Sequence, residues 1–191
     1  MNQYLTSTEI IDWETPTVLQ RATDLAAGNS DVFEIARACF EWTRDCISHS
    51  GDCRATVTTC CASEVLREGT GWCFAKSHLL AALLRANKLP AGLCYQRLRL
   101  DDDHGFTLHG FNAVHLPRIG WYRIDARGNK PGVDTQFCPP EERLACVPQE
   151  DGEINLPEIW PDPATIVVQC LQNNQGWQKV EANLPDIEII I

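Results

Sequence analysis

The hydrophobic period of this sequence changes once, at Pro90, and that change fixes the order of its architecture. Upstream, apolar residues recur every three to four positions, the spacing of one helix face. Thr15-Pro16 opens TVLQRATDLAAG, which predicts a helix with Thr15 as N-cap, Pro16 in the first turn and Gly28 at the far end. A second helix is predicted after Asn29-Ser30, its apolar face built by Val32, Ile35, Ala36, Cys39, Phe40 and Thr43. Residues 48–61 are small and polar and read as loop, followed by a short helix, ASEVLRE, and Gly69-Thr70-Gly71. The next helix begins near Cys73. Ala75, Leu79, Leu80, Ala82, Leu83 and Ala86 give it so wide an apolar face that burial on several sides is expected. Asn87 is the expected left-handed C-cap, and Pro90 stops the helix.

Downstream of Pro90 the alternation has period two. Leu93, Tyr95, Arg97 and Arg99 alternate with Cys94, Gln96, Leu98 and Leu100, predicting a strand. HGFNAVHL and GWYRID are two further strand candidates, separated by a turn around Pro117–Gly120. Helices followed by antiparallel strands give an α+β class, not alternating βαβ units. The tail carries two β-rich segments, IVVQCL and DIEIII, and residues 138–165, rich in Pro and Glu, are expected to wrap the surface. A chain of 191 residues with no repeat and no evident linker is expected to form one domain over 1–191.

The formal charge of -10 argues against nucleic acid or an anionic membrane as partner. The N-terminus lacks a basic stretch followed by an apolar one, and no run of about 18 apolar residues occurs, so a cytoplasmic location is expected. The ten cysteines then read mainly as buried thiols rather than disulfides. Zinc sites favour CxxC or CxxH pairs; the nearest approach here, Cys53 with Cys60-Cys61, has a poor spacing, so neither metal nor other cofactor is expected.

Cys73 stands apart from the other thiols. It follows two glycines that allow close backbone approach, and it opens a helix whose unpaired N–H groups and dipole stabilise a thiolate or an oxyanion. A thiol nucleophile needs a base. His78, five residues on, is about 140° further round the same helix. His49 lies in the polar stretch, and His104 follows three aspartates and reads as solvated. His109 and His115 share one strand face but lie about 20 Å apart, so only one can reach Cys73. Asp125, at the end of WYRID, chooses between them. An odd-length turn, for example 117–119, sets Phe111 opposite Asp125, with His109 one same-face step away and about 7 Å across the diagonal. His115 falls near the turn. An even-length turn would separate His109 from Asp125 unless a bulge intervened.

SEVLREGTGWCFAKSHLLAALLRANKLPAG and HGFNAVHLPRIGWYRIDARGNK together resemble the transglutaminase-like cysteine peptidase superfamily, and most of all its small bacterial members. The likeness lies in the Gly-x-Cys opening a buried helix, the Arg85–Ala91 exit, a His opening one strand and an Asp closing the next Gly-Trp strand. It is strongest over residues 59–130, taken as the catalytic core. Gly110-Phe111 replaces the family's usual Ala-Trp, and Asn87 its usual glycine. The resemblance implies a papain-like core, with the Cys helix packed on an antiparallel sheet, Cys73 as nucleophile, His109 as base and Asp125 as orienting acid. Gly71 and Trp72 fall beside the substrate and oxyanion position; Trp72 reads equally as a core aromatic. Calcium dependence is not implied, since no EF-hand-like loop is present and Asp101-Asp102-Asp103 reads as solvated loop.

The function expected is cysteine-dependent amide acyl transfer, favouring hydrolysis of a peptide or protein amide. The alternatives are a non-catalytic peptide- or protein-binding module on the same fold and a Cys/His metal protein. Arg127 and Lys130 read either as a carboxylate-binding pair or, respectively, as an internal ion pair and a solvated cation. Lys76 reads either as raising the positive potential beside Cys73 or as pointing to water.

Overall fold

The computed structural model of the chain describes residues 1–101 and 105–187. His104 with its acidic neighbours, and most of the DIEIII segment, fall outside the described residues. Two helices, α1 (Pro16–Ala26) and α2 (Val32–Cys46), come first. The two-residue strand β1 (Ser48–His49), helix α3 (Ala62–Glu68) and the equally short β2 (Thr70–Gly71) lead to α4 (Cys73–Ala86). Then follow β3 (Ala91–Asp101), β4 (Gly105–Leu116) and β5 (Gly120–Ile124). The hairpin β6 (Gln136–Cys138)–β7 (Glu141–Arg143), the short β8 (Ile154–Asn155), and helices α5 (Thr165–Asn173) and α6 (Trp177–Glu181) complete it.

The main sheet is antiparallel in the order β5-β4-β3-β8. Helix α4 lies between this sheet and α1, α2 and α3. Every residue from Cys73 to Arg85 is buried, as a helix with no polar face requires. Lys76, His78 and Arg85 reach main-chain carbonyls of other segments and Ser77 donates within the helix to Phe74 O, while His78 Nε2 has no partner among the described residues. Lys76 Nζ donates to Arg44 O at 3.2 Å and to Ile47 O, and His78 Nδ1 lies 2.8 Å from Cys60 O. The fully buried Arg85 guanidinium donates to Ala91 O at 2.9 and 3.0 Å, to Thr6 O at 2.9 Å and to Pro161 O. One side chain of the central helix thereby ties the N-terminal segment and the segment after β8 to the start of β3.

Several local expectations change. IVVQCL is helix α5, not strand: Val167, Cys170 and Leu171 are its buried face, at helical spacing. The left-handed residue after α4 is Lys88 (φ 64), while Asn87 has φ -87 and its side chain donates to Leu83 O at 3.1 Å and Ala22 O at 3.0 Å. Residues 48–49 form a strand that pairs parallel with β2, so the polar stretch is anchored to the segment just before Cys73. The 138–165 region supplies β8 and a main-chain pairing of Leu93 with Trp160, and so builds the sheet rather than only wrapping it. Among the described residues no helix is long and apolar enough to cross a membrane.

Candidate active site

Cys73 is the first residue of α4 and 8% exposed. The first i→i−4 bond of the helix runs from Lys76 N to Trp72 O at 2.8 Å, so the N–H groups of Cys73 and Phe74 precede the helical ladder. Gly71 is needed for close approach: a Cβ there would lie 3.1 Å from Ala75 Cβ and 3.3 Å from Lys76 N. Gly110 does the same from the sheet side, where an added Cβ would stand 2.6 Å from the Phe74 ring and 3.2 Å from Phe74 Cα. The strand that carries His109 is therefore pressed onto the first turn of the helix that carries Cys73.

The turn after β4 has three residues, because Leu116 pairs with Gly120. In that register the residue opposite Phe111 is Asp125, the condition required for His109 and Asp125 to meet. His109 Nε2 lies 2.7 Å from Asp125 Oδ2, with both side chains buried. Asp125 also accepts from Arg127 N and Ala145 N, each at 3.0 Å. Three donors thus hold the carboxylate, which in turn orients the ring; Phe111 stacks against that ring at 6.0 Å. The ring's remaining nitrogen, Nδ1, is not engaged by Asp125, and Cys73 is the other group near enough to act on the ring.

Burial is the strongest single influence on His109 and opposes the imidazolium, yet Asp125 and Cys73 together outweigh it and hold the ring's pKa well above its ordinary value. For Asp125, burial works to raise the pKa, but His109 and the N–H donors of Ala145 and Arg127 leave it lowered. The pair is thus a buried imidazolium and carboxylate in contact with a thiol at a helix N-terminus. Such an arrangement can supply a nucleophile, a proton donor and acceptor, and oxyanion donors.

The other histidines are elsewhere. His78 faces Cys60, and His115 packs edge-on to Trp121 at 5.5 Å beside the turn. His49 is the residue that the polar composition of its surroundings concealed. Its side chain is only 9% exposed and meets the Trp72 indole edge-on at 5.2 Å. Trp72 itself is buried against His49 and Gly51, and its indole N–H has no acceptor among the described residues. Lys76 points inward, not to water, and burial lowers its pKa to about 8. Arg127 pairs with Asp52, Nη2 to Oδ1 at 3.1 Å and Nη1 to Oδ2, and Lys130 joins the same carboxylate at 2.9 Å. Lys130 thus stays exposed to solvent while pairing with Asp52. Gln96 was also overlooked: it stands opposite His109 on β3 and donates to Cys146 O at 3.2 Å and Asn155 Oδ1 at 2.7 Å. Cys146 follows Ala145 over Asp125, and its burial-raised pKa also responds to His109, Asp125, Cys73 and Arg127. All ten thiols are free. Among the described residues no group of three or more His, Cys, Asp or Glu is gathered as a metal site.

The fold itself is also found among solved structures. A candidate cysteine protease from Cytophaga hutchinsonii superposes with a TM-score of 0.52 at 19% identity, over 65% of this chain and 40% of that one. The periplasmic domain of TgpA from Pseudomonas aeruginosa gives 0.49 at 16%, over 64% and 45%. This chain therefore matches less than half the length of either solved chain. No curated protein matches the sequence. The family model for the transglutaminase-like superfamily matches residues 19–126, more than half of the 191, and the chain belongs to that superfamily.

Proposed function

We propose that the protein is a cysteine-dependent amide acyl-transfer enzyme, acting on a peptide or protein amide with water as the preferred acceptor. The observation that carries this reading is the buried His109–Asp125 pair at 2.7 Å, in contact with the thiol that opens α4. Cys73 sulfur attacks the amide carbonyl as a thiolate. The oxyanion forms against the first N–H groups of α4, beside Gly71 and Trp72. His109 gives its proton to the departing amine, leaving a thioester on Cys73 and a neutral imidazole. The ring then takes a proton from water, whose oxygen attacks the thioester and releases the acid. Asp125 holds the ring throughout and balances its charge. The preference for water over an amine acceptor rests on the absence of an unpaired carboxylate beside the thiol among the described residues, since Asp52 is already bound by two cations.

The test is iodoacetamide labelling of the native protein with each cysteine located by peptide mass spectrometry. Cys73 should label faster at pH 6–7 than the exposed Cys46 and Cys53, despite its burial. His109→Ala should remove that advantage, and Cys73→Ala should abolish amide turnover while leaving circular dichroism unchanged. If Cys73 labels no faster than the other thiols, the chain is a binding module and the enzyme reading fails.

A further inference from the structure

A cavity of about 250 Å³ opens beside the Cys73 end of α4, walled by His49, Asp52, Lys76, Arg127, Gly128 and Asn129. It lies close to the thiol by three routes. Lys76 is one turn on from Cys73, Arg127 is two residues beyond Asp125 and within electrostatic reach of Cys73, and His49 packs on Trp72.

The charges around it do not balance. Arg44, also in the wall, is matched by Asp45, at 2.7 and 2.8 Å. Asp52 alone answers both Arg127 and Lys130. Among the described residues Lys76 has no carboxylate partner, and its ammonium rests on two carbonyls. Asp125, Asp45 and Asp52 attract it from a distance, but each is already bound, to His109, to Arg44 and to Arg127 with Lys130. The wall thus carries three cations, Arg44, Lys76 and Arg127, against two carboxylates, Asp45 and Asp52, and Lys130 from beyond the wall draws further on Asp52. The wall also holds an unanswered polar atom. His49 Nδ1 is buried without a hydrogen-bond partner, 3.8 Å from Asp52 Oδ2, too far for a direct bond. Burial, with Arg127, Lys76 and His109 nearby, pushes the His49 pKa down to about 3, so the ring is neutral and keeps one N–H to give. Gly128, at φ 108, takes a backbone conformation that favours glycine, and a Cβ there would sit in ordinary contact with Lys76 Nζ at 3.5 Å.

We propose that this cavity is a specificity subsite that binds a carboxylate of the substrate, so that the protein selects acidic peptides, with Arg127 and Lys76 as the cationic wall and His49 as a further donor. The proposal rests on the reading of Cys73 as the reacting thiol. A substrate amine is the poorer occupant, because both carboxylates of the wall are already bound, Asp45 by Arg44 and Asp52 by Arg127 and Lys130. A carboxylate instead meets an ammonium whose only bonds are to carbonyls, and a guanidinium that keeps N–H groups beyond the two it gives Asp52. Two sources of carboxylate fit: an acidic side chain near the scissile amide, or the C-terminus of a short peptide.

The experiment uses the Cys73→Ala protein and fluorescent hexapeptides centred on glutamine, with one flanking position Glu, Gln or Lys, and with free or amidated C-termini. Fluorescence anisotropy at low salt should show a Glu or free-terminus peptide binding about tenfold more tightly than its neutral counterpart. The Glu arm reports a side-chain carboxylate and the free-terminus arm a terminal one. The advantage should shrink with added salt, vanish with Arg127→Gln, persist with Arg127→Lys and grow with Asp52→Asn. Equal binding, a preference for Lys, no binding of any acidic peptide, or an acidic preference unchanged by Arg127→Gln would each overturn the subsite. Iodoacetamide labelling of the native protein reads Cys73 separately. Slow labelling with charge selectivity intact removes the enzyme reading but keeps an acidic-peptide site; the reverse keeps the enzyme and removes the subsite.

Discussion

Asp125 shows how much one side chain can organise. Its two oxygens accept from His109 Nε2, Arg127 N and Ala145 N, so a single carboxylate joins β4, the loop after β5 and the segment after β7. Asp125→Asn keeps the shape but sets an amide donor against at least one of those N–H groups. The variant should lose about 2 kcal/mol of stability, as expected for hydrogen bonds to a buried charge. More specifically, the His109 ring should titrate at lower pH, because Asp125 is the largest of the influences that raise its pKa. Nuclear magnetic resonance of the ring protons measures this, and an unchanged titration would remove Asp125 as the orienting group. At this scale the sequence was legible where a residue's role depends on register alone. His109 and Asp125 could be paired because strand parity and a three-residue turn determine who stands opposite whom. Lys76 and His49 could not be placed. Their setting depends on the close of α2, the short β1 and the loop at Asp52, none of which has a periodic signature.

The contact between α4 and β4 decides whether thiol and imidazole meet. Gly110 lies within van der Waals reach of Phe74, and Asn112, one same-face step further along β4, donates to Ser77 O at 2.8 Å. Glycine at 110 thus accompanies phenylalanine at 74, a size compensation across the interface. Gly110→Ala should force the strand from the helix and cost about 1–3 kcal/mol, the range for overpacking a close-packed core. Cys73 labelling should slow with it, since His109 is the neighbouring residue. A urea midpoint and a labelling rate both equal to those of the parent would show that the interface yields freely. Helices α1, α2 and α4 and strands β3 and β4 were readable because each is long enough for its period to show, and the short α3 and β5 because turn-forming glycines bound them. IVVQCL was not, because a six-residue apolar run fits either period, and its β-branched residues favour a strand. It is a helix because Val167, Cys170 and Leu171 find the core on one side.

The molecule as a whole buries two histidines in neutral form. Burial lowers the pKa of His49 to about 3 and of His78 to about 4, both below the ordinary value of 6.5. Between pH 6.5 and about 4 the unfolded chain therefore takes up protons at both sites that the folded chain refuses. Stability must fall as pH falls through that window, by up to about 1.4 kcal/mol per pH unit for each histidine. His109 has the opposite sign. Its folded pKa is raised, so its contribution is fully present below 6.5 and is lost as pH rises through the folded value. Urea unfolding at pH 7 and pH 5 should show the acid loss, and His78→Gln should reduce the slope by about one proton's worth. A stability independent of pH in that range would mean that neither histidine is buried neutral.

The sequence by itself determined the order of α1 to α4 and β3 to β5 and the burial of α4, and it made the pairing of His109 with Asp125 conditional on an odd-length turn, which the structure supplies. Each of these follows from periodicity, and periodicity is local. Only the tertiary structure decided that Lys76 turns inward to the end of α2, that Asp52 collects Arg127 and Lys130, and that Ala145 closes over Asp125. Those contacts join residues 20 to 78 positions apart through short irregular segments. Their positions are set by the unmet hydrogen bonds and charges of the packed core, which exist only once the chain has folded.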